Sequence, residues 1–500
     1  MLPFTKLPAG SQIRTPLFYA EVNNSKANTA VQAQRTLILG QMFTSGAKAG
    51  TATPGKPVIC GGAAQAAQLA GAGSMLHLMA ADYFDGDPFA EVHLLPLQDD
   101  GGAVAAIGSF AFTHIATANG VLSLYIGGTK ISLPVLTTQT VNQLATALAA
   151  AVNATPNLPV SAAVDGTNAF QVNFTALNAG PGGNEIDLRV NYGGTKAGEA
   201  TPAGLTFTII AMASGATAPS LSTPLSNLGD KAFDFIVLPY TDSTSLDALK
   251  TFLDDNTGRW SWDEQVYGGC FAAYRGTYGA LTTFGSGRND QHACVMGIYD
   301  TPTPAWRWAA QQTAAVAPSL RNFAPQPLQT LAIADALAPP LSSRFPLSER
   351  NALLFNGIST FTVDDDGTVR VERLITTYQT NAFGQADNSY LPVERMYQLM
   401  FVLRFLKGIV TSEFGRMALA DDGTRFAPGS PIVTPSIVRA RLIAAYAELE
   451  FLGYVQDTDA FAEGLIVQRN AQDRNRLDVL WDGILTDQLN IFALLAMFRA

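Results

Sequence analysis

Two short runs of alternating apolar and polar residues flank an acidic turn near residue 365. Phe361 and Val363 alternate with Thr360 and Thr362, and Val369 and Val371 alternate with Arg370 and Glu372. Between them Asp364-Asp365-Asp366-Gly367 supplies a turn that ends in Asp-Gly, the strongest short-range hairpin signal. The pattern predicts strands over Ile358–Val363 and Val369–Thr377, each with one buried and one wet face, entered from a polar stretch at Ser348-Glu349-Arg350. This hairpin reads as the nucleus of a sheet that other parts of the chain, and other copies of it, complete.

Further period-two or continuous apolar runs predict buried strands at Arg35–Met42, Glu91–Leu97, Phe233–Pro239, Cys270–Tyr274 and Cys294–Ile298. Helical spacing is expected over 63–81, Ser245–Asp254 and Pro392–Lys407. A further helix has signals at both ends, with Thr434 as N-cap, Pro435 in the first turn and Gly453 after the last. Its predicted buried stripe is Val438, Leu442, Ala445, Leu449 and Leu452, with Arg439, Arg441, Glu448 and Glu450 outside it. From Asp99 to about Pro219 the chain turns rich in Gly, Ala, Thr and Asn and poor in charge. Strands are expected there at Phe110–Thr113, Val121–Ile126, Ile131–Val135, Glu185–Val190 and Leu205–Ile210, with a hairpin about Asp165-Gly166. An amphipathic helix spans Thr140–Asn153 in the same region. A β-rich unit between two α/β segments reads as a domain inserted into a loop.

The two ends differ from this. Residues 1–24 include Pro16 and the extended-looking Leu17, Phe18, Tyr19 and Val22; pattern alone allows an arm or the first strand of a domain. The end, LNIFALLAMFRA, fits a strand or a short helix, and in both cases so apolar a terminus requires something to dock on.

The chain has 500 residues, enough for two to four domains. It is 47% hydrophobic and only 14% charged, which points to a folded chain with much of its surface covered by partners. A net charge of −10 without a basic stripe argues against nucleic-acid binding. Cys60, Cys270 and Cys294 are far apart in sequence and read as reduced core thiols of a protein made in the cytosol. The start has no signal-peptide pattern, and no run of about 18 apolar residues predicts a membrane span.

Chemical motifs are weak. Gly50–Pro57 nearly spells a phosphate-binding loop, but Pro57 stands where a magnesium-binding hydroxyl is needed, so a surface loop is expected. The acidic turns at Asp364–Gly367 and Asp421–Gly423 lack the alternating ligands of a calcium loop. His77, His93, His114 and His292 have no metal-ligand spacing, and Ser286 lacks a nucleophile elbow. Asn289-Asp290-Gln291-His292 reads as a polar loop rather than half of a catalytic triad. No catalytic residue, cofactor or metal is expected.

Several ordered blocks together resemble the tail sheath proteins of contractile-tailed bacteriophages of the Mu-like type. They are IRTPLFYAEVNNSKANTA at 13–30, DFIVLPYTDSTSLDAL at 234–249, and SERNALLFNGISTFTVDDDGTVRVERLITTYQTN at 348–381. LADDGTRFAPGSPIVTPSIVRARLIA at 419–444 and IVQRNAQDRNRLDVLWDGILTDQLNIF at 466–492 extend the likeness. The resemblance implies an α/β and α+β multidomain protein with mixed-sheet domains, a β-rich inserted outer domain, and extended terminal arms that add strands to neighbouring subunits. Its implied parts are an N-terminal arm at 1–24, an α/β domain at 25–98 plus 220–345, the insertion at 99–219, a C-terminal domain at 346–476 and a C-terminal arm at 477–500. Strand addition would then involve Leu17, Phe18, Tyr19 and Val22, the hairpin residues Phe361, Val363, Val369 and Val371, and Leu489, Ile491, Phe492 and Leu494. The implied partners are further copies in stacked hexameric rings, the tail tube protein, and the baseplate and tail terminator proteins, without direct nucleic-acid contact or membrane insertion. A C-terminal-domain helix would face the tube, either Pro392–Lys407 or the one bearing Arg439 and Arg441. The sheath of a secretion or injection system and a non-contracting shell are the neighbouring readings, and a hydrolase on the α/β part is the distant one.

Overall fold

The computed structural model describes residues 34–499. The proposed N-terminal strand residues Leu17, Phe18, Tyr19 and Val22 lie outside them. The described chain opens with β1 (Thr36–Gln41), whose six residues are all buried. A largely exposed loop holding Gly50–Pro57 leads to β2 (Val58–Cys60). The helical pattern over 63–81 resolves into two helices, α1 (Ala63–Ala70) and α2 (Met75–Gly86). Gly71 breaks them: it has φ 91°, and a Cβ there would lie 2.3 Å from the Lys48 carbonyl. Ser74 then caps α2 by accepting the His77 N–H, and β3 (Val92–Leu97) follows.

The next seven strands form a unit of their own. They are β4 (Ile107–His114), β5 (Gly120–Ile126), β6 (Thr129–Val135), β7 (Val160–Val164), β8 (Gln171–Ala176), β9 (Leu188–Val190) and β10 (Thr206–Ala213). Their order is β10-β4-β8-β7 in one antiparallel sheet and β6-β5-β9 in another. Helix α3 (Val141–Ala154) packs on them and starts with a full capping box, in which Thr140 and Gln143 satisfy each other's main-chain N–H groups. Leu144, Ala145, Leu148 and Val152 bury one face of α3 against Phe110, Phe174 and Leu133. The strand expected over Glu185–Val190 forms only from Leu188, because Pro181–Glu185 coil into a 3-10 turn.

The first sheet then resumes. After the short α4 (Ser222–Ser226) come β11 (Phe235–Val237), α5 (Ser243–Leu253), β12 (Gly269–Arg275), α6 (Tyr278–Ser286) and β13 (Ala293–Ile298). The six strands run β13-β12-β11-β1-β3-β2, all parallel except β2. Helix α7 (Ala305–Phe323), not among the helices expected from the sequence, packs on this sheet and against α2. Its buried middle includes Gln311, Gln312 and Thr313; Gln312 donates to the Ala272 carbonyl of β12, and Thr313 to Ala309. The polar loop at Asn289–His292 buries two of its residues: Asp290 accepts the His292 N–H, and the His292 ring stacks on Trp260 at 4.7 Å.

Much of the remainder shares a core with α7 and with Phe271, Ala273, Cys294 and Met296 of β12 and β13. The polar stretch before the hairpin is helical, α8 (Leu347–Phe355), and the hairpin strands are β14 (Thr360–Val363) and β15 (Val369–Arg373). Next come α9 (Val393–Ile409), the short parallel pair β16 (Ala418–Leu419) and β17 (Ile432–Val433), and α10 (Pro435–Phe451). Then follow β18 (Val455–Gln456), α11 (Thr458–Gly464), β19 (Ile466–Arg469), β20 (Leu477–Leu480) and β21 (Ile484–Leu485). The result is a mixed α/β protein with several sheets.

Candidate functional site

The hairpin has one free side. Phe361 faces Val371 and Val363 faces Val369 across the ladder, with Gly367 at φ 90° in the turn. The far side of β15 is occupied by the chain itself: Thr330 and Ile333 donate their N–H groups to Val371 and Val369, and Val371 donates to Leu331. At the root of β14, Ser359 exchanges main-chain bonds with Val295 and Gly297, which ties the hairpin to β13. Beyond Ser359, Thr360–Val363 have no strand partner but β15 among the described residues. A cleft of about 410 Å³ runs along this open edge, lined by Tyr299, Leu341, Phe345, Arg350, Phe361 and Val363 among others. Val369 and Val371 are buried, whereas Phe361 and Val363 are half-buried, with Phe361 packed on Trp308 at 4.9 Å.

The C-terminal stretch divides in two. Its first part pairs within its own chain: β20 lies antiparallel to β19, and β21 to β18. Past Gln488 it has no regular partner, and Leu489, Ile491, Phe492, Leu494 and Phe498 are between 69% and 91% exposed. Seven large apolar residues on show in ten positions are far beyond the scattered surface leucines of an ordinary monomer. Neither face of this segment is covered.

Helix α10 is oriented by its caps and its buried stripe. Thr434 accepts the Ile437 N–H, Pro435 occupies the first turn and Gly453 follows at φ 81°. Val438, Leu442, Ala445 and Leu449 are buried as their spacing predicts, but Leu452 is 47% exposed because the helix has ended and turned outward. The two arginines do not stand free. Arg439 donates to the carbonyls of Ala462 and Leu465 at the end of α11, and Arg441 holds Glu413 with two bonds of 2.7 and 2.8 Å. What the outer face does present is Ile437, Ala440, Ala444, Ala447 and Phe451, an apolar seam at alternating three- and four-residue spacing. Helix α9, by contrast, is buried along most of its length.

Little here suits chemistry. Among the described residues no group of three or more His, Cys, Asp or Glu could hold a metal ion, and no helix is long and apolar enough to cross a membrane. The three cysteines are unpaired and buried, and burial pushes the Cys294 thiol up to about 12, far from a reactive thiolate.

A family model described as the phage tail sheath protein central domain matches residues 214–377. A Mu-like prophage FluMu tail sheath protein of Haemophilus influenzae is 38% identical over 494 residues, covering 98% of each chain. Among solved structures, a sheath tail protein of Desulfitobacterium hafniense aligns with TM-score 0.46 and 13% identity over 95% of this chain and 97% of its own. One from Listeria innocua aligns with TM-score 0.46 and 12% identity over 93% and 94%. With more than a third of its residues matched along nearly the whole length of the Haemophilus relative, this chain belongs to the tail sheath proteins of Mu-like phages and prophages.

Proposed function

We propose that this protein is the repeating subunit of a contractile tail sheath, linked to its neighbours by strands that its chain ends lend to their sheets. The observation that carries the reading is the exposed apolar segment Leu489–Phe498, whose large side chains are left uncovered by its own subunit. An edge strand beside a cleft, as at Thr360–Val363, is what an extended segment of another copy requires: main-chain ladders give strength, and alternate side chains give register. The N-terminal residues Leu17, Phe18, Tyr19 and Val22 would be lent in the same way.

In this reading subunits stack as hexameric rings around the tail tube, between baseplate and terminator, after assembly in the host cytoplasm. The rings move as rigid bodies on their linked ends when the sheath contracts and drives the tube through the host envelope. Free energy would come from surface buried between subunits in the compact state, so the role is structural rather than catalytic. The apolar outer seam of α10 from Ile437 to Phe451 is the surface we assign to the tube, since Arg439 and Arg441 are already engaged within the subunit. The insertion at 99–219 decorates the outside.

Removing residues 486–500 and viewing the purified protein by electron microscopy tests the linkage. The expected result is folded subunits that no longer form cylinders. Sheaths of normal length and stability would overturn it. Ala444→Glu, placed on the outer seam of α10, should leave sheath polymers intact but stop them from assembling on tube.

A further inference from the structure

We infer that helix α9 is a strut that connects the roots of the two chain ends within one subunit, so that tension on one linked neighbour is delivered to the other. The inference rests on the strand-lending reading, which makes the two ends the points where force enters. Near the C-terminal end of α9, Arg404 is paired with Asp234, whose side chain is fully buried. The other oxygen of the same carboxylate accepts the main-chain N–H of Arg35 at 3.1 Å, and the Arg35 carbonyl accepts the N–H groups of Asp234 and Phe235. About two turns toward the start of the helix, the Tyr397 hydroxyl donates to the Asp234 carbonyl at 2.9 Å. Asp234 thus clamps α9 to the residue from which the chain runs back to its N-terminal segment.

The opposite end of the same helix holds the other root. Arg395 pairs with Asp487 at 2.9 Å, Gln398 donates to the Thr486 carbonyl at 2.8 Å, and Gln488 donates to the Gln398 side chain at 3.1 Å. These three held residues lie just after β21, whose own pairing is only two residues long, and just before the exposed apolar segment. Without the grip of α9, a pull on that segment would peel β21 off β18 one bond at a time. With it, the load passes to a helix whose hydrogen bonds lie along its axis and which is wedged under the main sheet. Arg395 and Arg404 are about 14 Å apart along that axis, too far to touch.

The strut predicts coupling between sites that make no contact. Full-length subunits bearing Arg395→Ala with Gln398→Ala, Arg404→Lys, or all three are assembled into sheaths, and release of subunits is measured in rising urea. Each weakened end should raise release at a fixed urea concentration about tenfold, while all three together do little more than either end alone. Unassembled subunits are unfolded in parallel, and release is compared at urea concentrations below the lowest of their midpoints, so that a weakened fold is not read as a weakened strut. Effects that multiply fully, or sheaths as durable as the parent, overturn the strut. Subunits lacking residues 486–500 separate this from the underlying reading. If they too form normal sheaths, strand lending fails; if they do not assemble while the end variants act independently, only the strut fails.

Discussion

The segment from Ile107 to Ala213 and the body that surrounds it hold together by different means. The first segment's core, from Phe110 through Leu133 and Phe174 to Met212, comes from within that stretch apart from the adjoining Ala106. The cores of the body instead draw on residues hundreds of positions apart, Phe235 beside Val371 and Leu449, for instance. Deep ion pairs follow the same division. Asp82 with Arg307, Asp87 with Arg321 and Asp234 with Arg404 each join distant parts of the body. Where the two regions meet, the contacts include polar ones: Gln41 with Asp99 and the Ala179 carbonyl, Arg275 with Glu185, and Arg189 with Asp300. A hydrogen-bonded seam fixes orientation without merging cores, which lets the insertion vary while the body keeps its register.

The sharpest way to break this comparison is to damage both sides equally. Asp234→Ala leaves the half-buried Arg404 and the Arg35 N–H without their carboxylate, and Phe174→Ala opens a cavity in the inserted unit; each should cost about 3–5 kcal/mol. Limited proteolysis should then differ in reach. Cleavage in the Phe174 variant should stay within 99–219, whereas the Asp234 variant should be cut throughout the body. Identical digestion patterns would mean that the two regions unfold as one.

A smaller effect probes the buried charges of the body. Burial pushes the Glu394 carboxyl above its ordinary value of 4.5, although it accepts the Leu328 N–H at 3.0 Å. Because the folded pKa is the higher one, the stability of the neutral form is fully present below the ordinary carboxylate range and is lost as pH rises through the raised value. Glu394→Gln keeps an acceptor for Leu328 without the charge. Denaturant midpoints should therefore coincide for parent and variant in acid and separate in favour of the variant toward neutral pH. A constant gap would refute it.

The smallest effect sharpens the contrast from the side of the insertion. Asn153 caps the outer edge of β7 by accepting the Ala162 N–H and donating to its carbonyl, at 3.0 and 2.7 Å. Asn153→Ala should cost about 1 kcal/mol and raise amide exchange along β7 while leaving the body's exchange untouched. Faster exchange in β12 or β13 would show that the seam transmits more than orientation.

Legibility followed how local the determining forces are. The turn at Asp366-Gly367 and the caps of α10 were readable because each is set by a few neighbouring residues. Helix α7 was not, since Gln311, Gln312 and Thr313 are polar yet buried and Pro318 sits inside it; only the packed fold brings Gln312 to the Ala272 carbonyl. Helix α8 was missed for the opposite reason: it buries only Leu353, and its exposed residues read as a polar approach to the hairpin. The proposed assembly surface was half legible. An apolar terminus is visible in a string of letters, but the open side of β14 is not, because only the fold shows that residues 330–333 cover β15 and leave Thr360–Val363 uncovered.

By itself the sequence determined the short-range facts: which runs become strands, where turns and caps fall, that charge is scarce, and that the chain ends in a segment water does not favour. Those properties depend on backbone preference and side-chain polarity within a few residues of one another. Tertiary structure alone decided that Asp234 meets Arg404, that Arg439 and Arg441 are engaged within the subunit, and that the tail is held by its own subunit as far as Gln488. Such pairings are chosen by how distant elements stack, and the free energy of a buried charge or an open edge exists only once that stacking is in place.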